Sequence, residues 1–390
     1  MHIRPYQPSD QSAVNALHRA VWWPERSHAG WDWLDANAAR ADIDAPSGWV
    51  VEGRDGRPAA FLGNLVQRFW YGDARHHGVT GFSIIVPPAA RGRSRQLIQT
   101  FLRQPGVFAS YTFNANARSA PLYARHGLVP WPPRTHGLKL SWVVDPIACL
   151  HGRLLRTAVK RAPTLSDPYR ERFLNRRLTA TAESPLPRGV AALTDLGDAS
   201  DYGTFWERLK ADGRLLADRS PAILRWRLAD PDRTLMPVML AYRRGGEITG
   251  YAMGVMAKAN PIEPAFLEIL DLVALQDEPH AIPALMQALL IQARDRGAAK
   301  LRLQTLDEEM LRRLGPYADQ ARHEGGWGHC HALFAADGPP RQTWSPTPFD
   351  GDYGVCQRPV PVQARGDDGR YGAAAFPISG VAAPDLRPAA

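Results

Sequence analysis

Apolar positions recur along this chain with two periods, and the switches between them mark its elements. Residues 3–6 read as a first strand, and Pro8-Ser9-Asp10 caps a helix over Gln11–Val21, where Val14, Leu17 and Val21 recur at helical spacing. Trp49–Glu52 is a strand, Arg54-Asp55-Gly56-Arg57 a turn and Pro58–Trp70 the returning strand. After a second turn at Tyr71-Gly72-Asp73, a fourth strand starts near His77 and carries Phe82-Ser83-Ile84-Ile85-Val86. Pro87 and Pro88 end it. A basic loop of small residues, Ala89 to Arg95, leads into a helical pattern over Gln96–Leu102 and then a strand-like run near Phe108–Phe113. The runs at 82–86 and 108–113 can lie side by side with the helix crossing between them.

The same order returns in the second half. Helices are expected at Phe205–Leu209 and after Ser220-Pro221. A hairpin follows at Met236–Tyr242 and Glu247–Met256, then a long strand at Phe266–Leu275, a helix at Ala281–Arg296, a strand at Leu301–Leu306 and a helix at Glu308–Leu314. This is the pattern of an internal duplication.

The chemistry concentrates after the fourth strand. A helix N-terminus fed by a small-residue loop offers free N–H groups and a positive dipole end, and Arg91, Arg93 and Arg95 add charge there. Such a site suits a pyrophosphate. The corresponding stretch of the second half, Gln276-Asp277-Glu278-Pro279-His280, has no glycine or arginine and carries acids that repel a phosphate.

With these residues in view, the chain resembles the GNAT N-acyltransferases. Their signature has a strand ending in Val-x-Pro, an Arg-x-x-Gly-x-Gly/Ala loop, a helix, and then Asn-x-x-Ala/Ser-x-x-Leu-Tyr-x-x-x-Gly-Phe. Asn116, Ser119, Leu122, Tyr123 and Gly127 match the last part. The loop departs from the pattern: counted from Arg91 its glycine positions hold Ser94 and Gln96, and counted from Ala89 they hold Gly92 and Ser94. The second half resembles the degenerate C-terminal module of tandem bacterial members through Arg219, Leu224, Trp226 and Arg227 and through Asp350-Gly351-Asp352.

The resemblance implies an α/β (α+β) fold of two GNAT-like modules, each a mixed, largely antiparallel twisted sheet flanked by helices. The expected division is an acyltransferase module at 1–145, a basic helical linker at 146–187, a degenerate module at 188–336 and a Pro/Gly/Ala-rich tail at 337–390. It implies acetyl-CoA or another acyl-CoA as co-substrate. The pantetheine arm would pair with the backbone of Ile84, Ile85 and Val86. The pyrophosphate would sit on Arg91, Gly92, Arg93, Ser94 and Arg95, with Asn116 hydrogen-bonding the carrier. Tyr123 falls on the position of the family's general acid. No carboxylate lies on the fourth strand at 78–86, so His76 or His77 at its entrance is the candidate base, imidazole titrating near neutral pH. Trp22, Trp23, Trp31 and Trp33 either line an acceptor pocket or pin a covering helix.

Composition narrows the class. Of 390 residues, 45% are hydrophobic and 22% charged, as in soluble globular protein. No apolar run reaches the roughly 18 residues of a membrane span, and no secretory start is visible, so a cytoplasmic location is expected. Cys149, Cys330 and Cys356 are widely spaced and read as reduced thiols. His323, His329, Cys330 and His331 fit no zinc spacing, and no metal is expected. Neither a Gly-x-Ser-x-Gly elbow nor a Walker loop is present. The net charge of +8 favours anionic partners. Much of it lies in the stretch Arg153–Arg177, where Leu150, Leu154 and Ala158 recur as on an amphipathic helix. The expected function is transfer of an acyl group, other than aminoacyl, from coenzyme A to an amine. The rival readings are an acyl-carrier-protein- or aminoacyl-tRNA-dependent transferase and a non-catalytic binding protein.

Overall fold

In a computed structural model of the chain, residues 2–21, 23–116, 119–161, 184–258, 263–325 and 327–356 are described. Two sheets, mostly antiparallel and flanked by helices, form a mixed α/β molecule. Strands are numbered along the chain. The first sheet runs β1 (Ile3–Pro5), β2 (Gly48–Glu52), β3 (Pro58–Tyr71), β4 (Ala74–Ile85), β5 (Ala109–Asn116), β15 (Trp327–Phe334) and β6 (Val129–Pro130), with β9 (Leu215–Ala217) also paired to β3. The second runs β14 (Arg322–His323), β7 (Lys139–Val143), β13 (Lys300–Gln304), β12 (Phe266–Ala274), β11 (Glu247–Ala257), β10 (Val238–Arg244) and β8 (Val190–Ala192).

Central strands are covered on both faces, which is why they read as nearly unbroken apolar runs. All of β12, and β3 from Ala60 to Gln67, is buried. Helix Ser94–Leu102 packs Leu97 and Phe101 against Trp49, Val51 and Leu62. Helix Ala281–Asp295 lays Ile282, Leu285, Met286 and Leu289 on β10–β12. A third core, rich in aromatic rings, joins Phe69, Tyr111 and Phe113 of the first sheet to Tyr251 and Leu270 of the second. Trp344, Phe349 and Tyr353 of the C-terminal segment fill it and are 2%, 1% and 3% exposed. Burying one such ring contributes about 2–3 kcal/mol relative to leaving it in water.

The sheets do not divide where the sequence pattern places its boundaries. β7, inside the expected first module, pairs antiparallel with β13 in the second sheet. β15, inside the expected second module, pairs with β5 in the first. The chain thus sends one strand, β7, into the second sheet and places two from the expected second module, β9 and β15, in the first. Periodicity identifies strands but not their partners, so this exchange was not visible in the pattern.

Trp31 and Trp33 pin rather than line. Trp31 is 2% exposed against Tyr6 and Phe61, and Trp33 stacks on Trp226 with centroids 4.6 Å apart. The Trp33 indole donates to Trp226 O at 2.8 Å. Trp22, Arg170–Arg177 and the tail beyond Cys356 lie outside the described residues. Of the histidine–cysteine cluster, His323 stands on β14 and the other three on β15, in different sheets. Among the described residues no group of three or more His, Cys, Asp or Glu is arranged to hold a metal ion.

Candidate active site

β4 and β5 run parallel and pair over Gly78–Thr80 and Ala109–Tyr111. β15 pairs with the other edge of β5 along its length, from Phe334 opposite Ala109 to Trp327 opposite Asn116, while β4 continues along β3 as far as Ile85 opposite Phe61. Past Thr80 and Tyr111, β4 and β5 no longer pair, which leaves a wedge beside residues 81–85 of β4. Within the wedge β4 bulges: Gly63 pairs with Phe82 and Phe61 with Ile85, so three steps on β4 oppose two on β3. Ser83 takes up the extra residue at φ 50°, a left-handed conformation uncommon outside glycine.

At the end of β4 a single turn, Pro88–Ala90, leads to Gly92 at φ 89° and then helix Ser94–Leu102. A Cβ on Gly92 would meet nothing within 4 Å, so the glycine is there for its backbone angle and leaves the loop open. The helix starts after Arg93 with no side-chain cap, and Arg91 and Arg95 beside its first turn are exposed. Arg93 Nη1 donates to Gln96 Oε1 at 2.8 Å. Burial and then the nearby charge of Arg95 push the His126 imidazole down, so the positive field extends across the helix end.

The equivalent loop after β12 has the opposite polarity. Arg313 donates to the carbonyls of Ala274 at 3.2 Å and of Leu275 and Glu278 at 2.9 Å, and Arg214 donates to Ala274 O at 2.8 Å. Glu278 accepts from His280 N at 3.1 Å and so occupies the helix end itself. Carbonyls and guanidinium groups stand where the first loop presents N–H groups.

On the far side of the wedge, Asn116 and Ser119 bond reciprocally, Asn116 N donating to Ser119 Oγ at 2.9 Å and Ser119 N to Asn116 Oδ1 at 3.0 Å. This turn launches the short helix Ala120–Arg125, which carries Tyr123. Tyr123 is 5% exposed and stands beside Thr112 of β5. Burial, then the charge of Asp352, pushes its phenol up to about 12, so it is a proton donor at neutral pH.

Asp352 comes from the C-terminal segment, whose turn Asp352–Gly354 touches both β4 and β5. Its Oδ2 accepts from the Cys356 thiol at 3.4 Å, while Oδ1 has no hydrogen-bond partner among the described residues. Burial pushes this carboxyl up to about 6, against the weaker opposing effects of the Cys356 thiol, its own backbone and nearby Asn114. Cys356 also lies beside Ser83 at the bulge. Two buried arginines brace the segment. Arg227 Nη2 donates to Phe349 O at 3.0 Å, and its guanidinium lies 3.9 Å from the Phe349 ring. Gly354 packs so near it that a Cβ would come within 2.7 Å of Nη1. Arg219 bonds Asp350 at 2.9 Å, Asp271 of β12 at 2.7 Å and Thr347 at 2.8 Å.

Ile84, Ile85, Val86 and Arg91–Arg95 therefore lie on one continuous path from the bulge to the helix end, with Tyr123 and Asn116 across the wedge. His77 is not brought there. It sits near the other end of β4, opposite Arg68, with Nε2 2.9 Å from Asp42 Oδ2. Six residues of strand, about 20 Å, separate it from Ser83. His76 packs against Phe108 instead. Ser83 and Asp352 stand at the wedge; Ser83 was not singled out in the sequence, and Asp352 only as part of Asp350-Gly351-Asp352. A slip in alternation marks the bulge, since Phe82 and Ile85, three apart, are both buried.

No protein-family model matches the sequence, and no curated protein matches it. Solved structures do. Saccharomyces cerevisiae N-myristoyltransferase with bound myristoyl-CoA matches at 11% identity over 85% of this chain and 78% of that one, with a TM-score of 0.53. The same enzyme with myristoyl-CoA and inhibitors matches at 10% identity over 85% and 79%, with a TM-score of 0.50. A GCN5-related N-acetyltransferase from Anabaena variabilis matches at 15% identity over 85% and 73%, with a TM-score of 0.48. The chain has a GNAT-type fold.

Proposed function

We propose that this chain is an acyl-CoA-dependent N-acyltransferase, using acetyl-CoA, whose active site is the wedge between β4 and β5. The observation that carries the reading is the open, arginine-flanked helix N-terminus at the mouth of a parted parallel strand pair. Pyrophosphate fits the N–H groups of the Gly92–Ser94 loop, and a pantetheine amide fits the unpaired edge of β4. A thioester carbonyl seated at the Ser83 bulge would be polarised by a backbone N–H. Asp352 Oδ1 accepts the proton of the attacking amine as the C–N bond forms. As the C–S bond breaks, the Tyr123 phenol protonates the leaving thiolate. The polarity of the second loop favours a single coenzyme A site.

Calorimetric titration with acetyl-CoA tests the binding half, with one site expected. Gly92→Asp, which strains the φ 89° turn and sets an anion against the phosphates, should abolish the heat. No heat from the unaltered protein would remove acetyl-CoA as donor. Tyr123→Phe should lower kcat on the order of a hundredfold with KM for acetyl-CoA unchanged. An unaltered kcat would remove the acid role.

A further inference from the structure

The helix Pro146–Arg161 turns its apolar stripe away from the protein. Asp145 starts it, Oδ1 accepting from Ile147 N and Ala148 N at 3.0 and 3.1 Å. One face rests on the body. Gly152 sits where a Cβ would come within 2.6 Å of Pro264, Cys149 Sγ reaches Ala299 O at 3.6 Å, and Arg156 pairs with Glu263 at 3.1 Å. The opposite face carries Ile147, Leu150 and Leu154, which are 56%, 54% and 59% exposed. At 3.6 residues per turn these three share an arc of about 60°. Ala158, also exposed, extends it by one turn. Of the six large apolar side chains exposed among the described residues, three stand on this one stripe.

Charge accompanies the stripe. The helix contains Arg153, Arg156, Lys160 and Arg161 and no Asp or Glu. A helix resting on a globular body ordinarily turns its apolar face inward. This one presents a convex apolar ridge bordered by exposed Arg153, on a chain of net charge +8. A ridge of this shape and sign fits the acyl–headgroup boundary of an anionic bilayer. Leucine tips enter the hydrocarbon there, and long basic side chains reach back to phosphate. We propose that this helix docks the protein on anionic lipid surfaces, with Ile147, Leu150 and Leu154 inserted and Arg153 paired to headgroups.

Flotation of the full chain with phosphatidylcholine–phosphatidylglycerol vesicles, against phosphatidylcholine alone, tests this. Binding is expected to the mixed vesicles and to weaken as salt rises. Leu150→Glu with Leu154→Glu should lower the partition coefficient on the order of a hundredfold. Arg153→Glu should lower it on the order of tenfold. Both variants should keep the thermal midpoint, because the three positions are solvent-exposed. Absence of binding by the unaltered chain, equal binding to both vesicles, or full binding by the leucine double variant would overturn the proposal. So would self-association, or capture of an acyl-carrier protein without lipid, that the double variant abolishes. Either outcome would assign the ridge to a protein partner.

Discussion

Asp352→Asn is expected to lower turnover by ~10²–10⁴-fold and, at the same time, to make the protein more stable. Both effects follow from one buried carboxyl whose Oδ1 lacks a partner and which burial pushes up to about 6. As a base it works only when ionised, so the rate for the unaltered protein should rise through pH 6 and level off above it. The linkage has the opposite sign. In the unfolded chain the same carboxyl titrates near 3.8, so between pH 4 and 6 the folded state holds the extra proton. Stability therefore falls as pH rises through this window, by about 3 kcal/mol for a displacement of this size. Asparagine carries no charge to bury, so the variant should gain most of that increment at pH 7–8 and none below pH 4. Urea denaturation at pH 4 and pH 7.5, set beside the pH–rate profile, measures both. Equal stability of the two proteins at pH 7.5 would mean that Asp352 is not held in the buried state described, and an unaffected kcat would remove it as base.

Arg219→Ala should cost about 3–5 kcal/mol, a large share of a typical domain's stability of roughly 5–15 kcal/mol. Its guanidinium and the carboxylates of Asp271 and Asp350 are all 0% exposed. Burial alone would lower the arginine's pKa, but the two carboxylates outweigh it and raise it. Asp350 is raised by burial despite Arg219, so it sits close to the limit of what its partners can offset. Removing the cation leaves two acids in one dry pocket, with Tyr251 and Trp344 still donating to them. The variant combining Arg219→Met, Asp271→Asn and Asp350→Asn should recover much of the loss. A cost below 1 kcal/mol for Arg219→Ala would show that water or a rearranged partner replaces the guanidinium. Because the cluster ties β9, β12 and the segment before Asp352 together, residual folded Arg219→Ala should also show impaired kcat.

The elements named from the sequence were legible to within a few residues, because a helix keeps its apolar period and a doubly covered strand reads as an apolar run. Pro58–Tyr71 and Ala281–Asp295 follow from apolar spacing and turn residues alone, while the mixed α/β class came with the family resemblance. The loop from Ala89 to Arg95 and the helix after it were legible as local structure too, being contiguous and marked by small and basic residues around Gly92. Two features were not. The Ser83 bulge is one extra residue in an apolar run, and nothing in Phe82-Ser83-Ile84-Ile85 fixes which strand pair absorbs it. Asp352 lies 229 positions beyond Tyr123, and its place depends on Arg219, Arg227 and the aromatic core drawing the segment inward. His77 drew attention as an imidazole on the strand carrying the site, but a strand about 40 Å long has two ends. His77 belongs to the end held by Asp42 and Arg68.

The crossing of β7 and β15 between sheets changes what the molecule can be cut into. A fragment ending at residue 145 would carry β7 with no β13 to pair with, and would expose the β5 edge that β15 covers. The complementary fragment would lack the sheet on which β9 lies. Each half supplies the other with a structural part, as two swapped protomers do, but joined in one polypeptide and so independent of concentration. Any sequence change that loosens one sheet is consequently felt in the other. The wedge, though built mainly from the first 130 residues, inherits its rigidity from the full length of the described chain.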